Sequence, residues 1–206
     1  MSWFFDPLPM FGFDLAVIDP PTEFTLYSAN GNSKSASAQY DIMSWPDLAK
    51  LPVGHLIRAN GVILLWACPP TLNKSMWLLE QWGALYKTEL VWPKRRLGTG
   101  YRVRGMHESI LLGVFGNEYQ IHDAFYGEIE GKARGHSQKP AAFYDHVREK
   151  TPGLIRCDLF SRENHDGFTA WGKEVGKFDD GSRPERRRKQ KIIAPTPLFD
   201  AAEAAA

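Results

Sequence analysis

Short apolar runs that alternate with amphipathic segments constrain the fold of this chain more than any other feature. FDLAVID (about 13–19), GVILLWA (about 61–67), LYKTELVW (about 85–92), ESILLGVF (about 108–115) and LIRCDLF (about 154–160) read as strands. Leu72, Met76 and Leu79 recur at helical spacing and predict a helix over 71–82, and Phe143 and Val147, one turn apart, predict another over 139–150. Ser44 suits the N-cap of a brief helical turn with Pro46 inside it. Strands alternating with helices predict an α/β fold of three layers, with helices on both faces of a mostly parallel sheet.

A length of 206 residues suits one domain of this kind. The composition becomes charged and then Pro/Ala-rich near residue 176, which predicts a folded domain over 1–175 and a flexible tail over 176–206. No apolar run approaches the roughly 20 residues needed to cross a bilayer. The start MSWFFD lacks the pattern of a secretory signal, so the expectation is a soluble, cytoplasmic protein. Cys68 and Cys157 both lie in apolar runs and read as buried thiols, not as a disulfide or a metal pair. The histidines, among them His107, His122, His136 and His165, are scattered without metal-ligand spacing.

A formal net charge of +1 argues against a polycation that coats nucleic acid by charge alone. Any such surface must come from local clusters. These are Lys94, Arg95 and Arg96 with Arg102 and Arg104, then Lys132 with Arg134, then the tail from Arg183 to Lys191. The loop 94–106 also holds Tyr101, so it combines phosphate-neutralising charge with a ring on which a base can stack. A second long loop, 25–43, is rich in Ser, Asn and Gly, and a third, 128–138, links a strand to a helix.

The chemistry is concentrated where the first strand ends, in VIDPPTEF. Asp19 falls at the carboxyl end of its strand, where open α/β sheets form ligand crevices. Pro20 and Pro21 stiffen the turn, remove two amide donors and leave the Pro20 carbonyl as an acceptor. A carboxylate and a carbonyl converging on one point suit a planar amine with two hydrogens to donate, such as the exocyclic amine of adenine. Held by two acceptors, that amine can aim its lone pair at an electrophilic methyl group, with orientation and electrostatics supplying the catalysis. The same residues also fit a plainer role, in which Asp19 caps a turn and the prolines end a strand.

FDLAVIDPP, YDIMSWPDLAKLPV, GVILLWACPP, WGALYKTELVWPK, HESILLGVFGN, GHSQKPAAFYDHV and DLFSRENHDGFTAWGKEV together resemble, in the same order, the adenine-N6 methyltransferase family. That family includes the catalytic subunit of the eukaryotic messenger-RNA adenosine methyltransferase and many bacterial and phage proteins. The resemblance spans about residues 3–175. It implies a Rossmann-like fold, S-adenosylmethionine as methyl donor, and transfer to adenine in DNA or RNA. Asp19, Pro20 and Pro21 match the catalytic turn, and Asp19 and Lys139 match positions beside the donor. Arg162, Asn164, Lys173 and Glu174 fall where the family places ribose and other donor contacts. The loop 94–106 corresponds to one that borders the substrate groove, which adds Lys94, Arg95, Arg96, Tyr101, Arg102 and Arg104 as nucleic-acid contacts.

Two positions depart from the family: Lys173 stands where relatives usually carry an asparagine, and Thr22 replaces an aromatic. Thr22 stands where relatives carry a tryptophan that stacks on the extruded base, an interaction worth about 1–3 kcal/mol per base. Another aromatic, such as Phe24, Tyr27 or Trp45, can take over that stacking; otherwise the base binds weakly, or the chain only binds and no longer catalyses. Two function classes follow: an enzyme acting on DNA, with RNA or a free small substrate as variants, and a noncatalytic nucleic-acid-binding relative or partner subunit. A homodimer or heterodimer is compatible with either. PTPLFD in the tail resembles the Leu-Phe peptides that dock on the bacterial sliding clamp.

Overall fold

A computed structural model describes residues 3–22, 42–95, 97, 103–117, 121, 124–132, 134 and 138–179. Six strands form one sheet: β1 (Phe13–Ile18), β2 (Ile57–Ala67), β3 (Leu85–Pro93), β4 (His107–Val114), β5 (Arg156–Leu159) and β6 (Phe168–Trp171). Their order is β3-β4-β2-β1-β5-β6. β1 pairs in parallel with β2 and β5, and β5 with β6, while β4 runs antiparallel to both β2 and β3. The sheet is thus mostly parallel and mixed, with a Rossmann-like arrangement.

Successive strand residues point to opposite faces, and both faces are covered. Ala16, Ile18, Ile63 and Leu65 pack against Leu78 and Leu79 of α2 (Leu72–Gln81) and Leu48 of α1 (Trp45–Ala49). Leu15, Val17, Leu64 and Trp66 pack on the other side against Phe143 and Val147 of α3 (Ala141–Lys150). This is the expected three-layer architecture. Burying each such leucine, isoleucine, valine or phenylalanine contributes about 1.5–3 kcal/mol.

The helices start where local chemistry allows. Ser44 caps α1, its hydroxyl accepting the Asp47 amide at 3.3 Å, and Pro46 sits in the first turn. α3 begins at Ala141, not at 139, because Pro140 is extended (φ −67°, ψ 136°) and acts as the N-cap. β2 begins at Ile57, ahead of the expected residue 61. Asn60 there has a positive φ of 64° and the register with β1 shifts, an irregularity that breaks the apolar pattern.

β6 was not expected, because four residues with Thr169 inside them give little periodic signal. Cys157 is buried as anticipated, but Cys68 is exposed: it follows the last residue of β2 and stands at the sheet's open edge. The folded part continues past residue 175, since the Phe178 amide donates to the Arg162 carbonyl at 3.2 Å. Residues 180–206, including the basic run and PTPLFD, lie outside the described residues. Among those described, no helix is long and apolar enough to cross a membrane.

Candidate active site

Strand alternation and direction bring the site together. Leu15 and Val17 face α3, so Asp19, one step beyond β1, falls on that side too. In β5, Cys157 and Leu159 face away from α3, which turns Asp158 toward it. Ile110, Leu112 and Val114 of β4 face α3, and Glu108 shares their parity. Because β4 runs antiparallel, its opening residues lie at the edge where β1 and β2 finish, with Ala67 opposite Ser109. Three carboxylates from three strands therefore meet at one edge, and the segment leading into α3 adds Lys139.

Lys139 Nζ lies 3.0 Å from Asp19 Oδ1 and 3.0 Å from Glu108 Oε2. Lys94 binds the other Glu108 oxygen. The Lys139 ammonium sits 4.6 Å above the Trp66 ring, and that of Lys94 5.2 Å above Trp92. Burial alone would lower the Lys139 pKa, but Asp19 and Glu108 outweigh it and hold the ammonium above the usual lysine range. Burial likewise works to raise the Glu108 carboxyl, yet Lys139 and Lys94 prevail and keep it below the ordinary glutamate value.

A cleft opens beside this cluster, lined by Asp19, Lys139, Asp158, Ser161, Arg162 and Phe178. Burial pushes Asp158 up to about 7, with Ser161 and Tyr144 beside it pulling part of the way back. Its Oδ2 is buried with no hydrogen-bond partner among the described residues. His165, also on the cleft wall, stacks on Tyr144 with ring centroids 3.4 Å apart, and burial holds it down to about 4. Arg134 grips Glu163 with two guanidinium nitrogens at 2.6 and 2.8 Å and donates to the Lys139 carbonyl at 2.7 Å, fixing the backbone that carries Lys139.

Sequence comparison assigns the family. The MT-A70 family model matches residues 13–174, from the first residue of β1 to just beyond β6. The chain belongs to the MT-A70 family. It is similar to the Type II methyltransferase M.MunI of a Mycoplasma species, with 27% identity over 196 residues covering 83% of this chain and 81% of that protein. It is therefore a methyltransferase, as the motif blocks implied.

Within this MT-A70 chain the expected residues divide into groups. Asp19, Lys139 and Arg162 share the cleft wall. The Pro20 carbonyl is not free as expected: it accepts the Thr22 amide at 2.8 Å, leaving one lone pair, and the Pro21 carbonyl accepts the Met43 amide at 2.8 Å. Thr22 and Met43 form a parallel bridge, so the chain leaves and returns at the site's rim; Phe24 and Tyr27 lie between them, outside the described residues. Asn164 does not line the cleft: its side-chain amide donates to Asp179 at 2.6 Å. Glu174 pairs with Lys177, and neither Lys173 nor Glu174 reaches the cleft wall.

Two of the basic loop's charges are paired with carboxylates, Lys94 in a partly buried pair and Arg95 in an exposed one. Lys94 is bonded to Glu108, and Arg95 lies 3.6 Å from Glu130. Arg104 is exposed, while Arg96, Tyr101 and Arg102, like His122 and His136, lie outside the described residues. Sequence reading missed Glu108, Asp158 and Arg134. The signal for the first two was an acid embedded in an apolar strand, in HESILLGV and RCDL, where a charge is costly unless a partner or ligand meets it.

Proposed function

We propose that this methyltransferase carries a methyl group from S-adenosylmethionine to the N6 amine of adenine, in DNA. The observation that carries this reading is the Asp19-Pro20-Pro21 turn, held by Lys139 at 3.0 Å beside a cleft whose wall carries a buried acid, Asp158, with one oxygen unbonded among the described residues. The charges on the cleft wall complement a zwitterionic amino-acid group: Lys139 and Arg162 are cations for a carboxylate, and Asp158 and Asp19 carry acceptor oxygens for an ammonium. When bound, the donor supplies the electrophilic methyl.

The chain's own residues do the remainder. Asp19 and the second lone pair of the Pro20 carbonyl accept from the adenine amine and orient it. Lys139, 3.0 Å from the Asp19 carboxylate, sets where that carboxylate rests before substrate arrives. No nucleophilic side chain is required. DNA is preferred to RNA because the chain resembles compact bacterial and phage members, and a bacterial type II methyltransferase stands among its relatives.

Thr22 favours a second reading, a nucleic-acid-binding relative without catalysis, because no ring stands at that position. Tritiated methyl transfer to unmethylated DNA and to RNA, with Asp19→Ala in parallel, separates the two. Label that enters DNA and is lost in the variant supports the enzyme. Transfer to neither polymer, together with no binding of the donor, supports the second reading.

A further inference from the structure

The charges at the sheet edge are continuous with the base of the basic loop. Lys94 opens that loop, and its amide donates to the Met106 carbonyl at 2.7 Å, so the loop's two ends meet where its ammonium turns back to Glu108. From there charge alternates inward through Lys94, Glu108, Lys139 and Asp19. The Lys94 side chain is 33% exposed and that of Asp19 32%, while those of Glu108 and Lys139 between them are each 10% exposed. Trp92 and Trp66 form an apolar floor under the two ammoniums. Charges held there interact more strongly than in water, so a change at one end is felt at the other.

We propose that this row couples a polyanion at the loop to the state of the Asp19 carboxylate. A phosphate that captures the partly exposed Lys94 leaves Glu108 to Lys139. Glu108 is too buried to regain water in compensation, so it draws Lys139 toward itself and away from Asp19. Asp19 is thereby freed to accept hydrogen bonds when a phosphate backbone is seated and is restrained by Lys139 when none is. Its catalytic consequence rests on the reading under Proposed function; the coupling itself does not.

Carboxyl-13C NMR of protein labelled at aspartate tests the coupling directly, with inorganic tripolyphosphate as the polyanion and the Asp19 signal assigned by its disappearance in Asp19→Asn. In the wild type, tripolyphosphate is expected to shift the Asp19 signal. In Lys94→Gln that signal should start near the shifted position and respond no further, and in Glu108→Gln, where the row is cut, it should not respond. A wild-type Asp19 signal unmoved by tripolyphosphate overturns the proposal.

Turnover supplies the second arm. Lys94→Gln is expected to raise methylation of free deoxyadenosine severalfold, because the restraint on Asp19 is gone. If it only raises KM for DNA and leaves nucleoside turnover unchanged, Lys94 is a plain phosphate contact and the coupling is wrong. A shifting Asp19 signal in a protein that methylates no substrate would contradict the proposed function and leave the coupling standing.

Discussion

Replacing Asp158 by Asn should make the protein more stable at neutral pH, by an amount that depends on pH in a defined way. Asp158 is 1% exposed in β5, between β1 and β6, and burial lifts it from an ordinary 3.8 to about 7. Between those values the unfolded chain releases a proton that the native protein keeps, so stability falls as pH rises from about 4 to 7 and is level above that. Each unit is worth about 1.4 kcal/mol, so the full loss is on the order of 4 kcal/mol. Asn keeps the shape and does not titrate. Over the same range His165, held down to about 4, contributes in the opposite direction, its stability being lost as pH falls. It is present in both proteins, so their difference isolates Asp158. Urea unfolding of wild type and Asp158→Asn at half-unit steps from pH 4 to 8 is the assay. The gap should open in the variant's favour with rising pH and stop growing above about 7. Parallel stability curves would refute the reasoning.

Lys139→Met removes the lysine shared by Asp19 and Glu108 and should cost about 3–5 kcal/mol in urea unfolding, the usual penalty for breaking a buried ion pair. Phe143→Ala empties a fully buried site whose ring lies 4.8 Å from that of Trp66, and calorimetry should show a loss of about 3–5 kcal/mol. Thr22→Trp restores a stacking surface at the rim and should lower KM for an adenine-containing oligonucleotide, by up to about 1–3 kcal/mol of binding; an unchanged KM would show that another group already covers the base.

The fold was legible where burial dictates composition. The apolar runs of β1, β2, β4 and β5 must be apolar because helices cover both faces of the sheet, and the spacing of Phe143 and Val147 in α3 follows from its single buried stripe. β6 escaped because a four-residue edge strand is pinned by pairing with β5 and not by its own pattern. The site was legible at Asp19 because two prolines mark the turn, and at Lys139 through family resemblance. Glu108 was hidden for a nonlocal reason: only the antiparallel direction of β4 carries its first residues to the edge where β1 ends. Arg134 looked like part of a nucleic-acid patch, since composition cannot reveal that a guanidinium is already committed to Glu163 and the Lys139 carbonyl.

The most direct test of the central claim is the identity of the methylated atom. DNA incubated with the protein and a donor bearing a trideuterated methyl group, digested to nucleosides and analysed by mass spectrometry, should yield deuterated N6-methyldeoxyadenosine, with the signal lost in Asp19→Asn. Label found on cytosine or on a ring nitrogen of adenine, or an Asp19→Asn protein as active as the wild type, would contradict it.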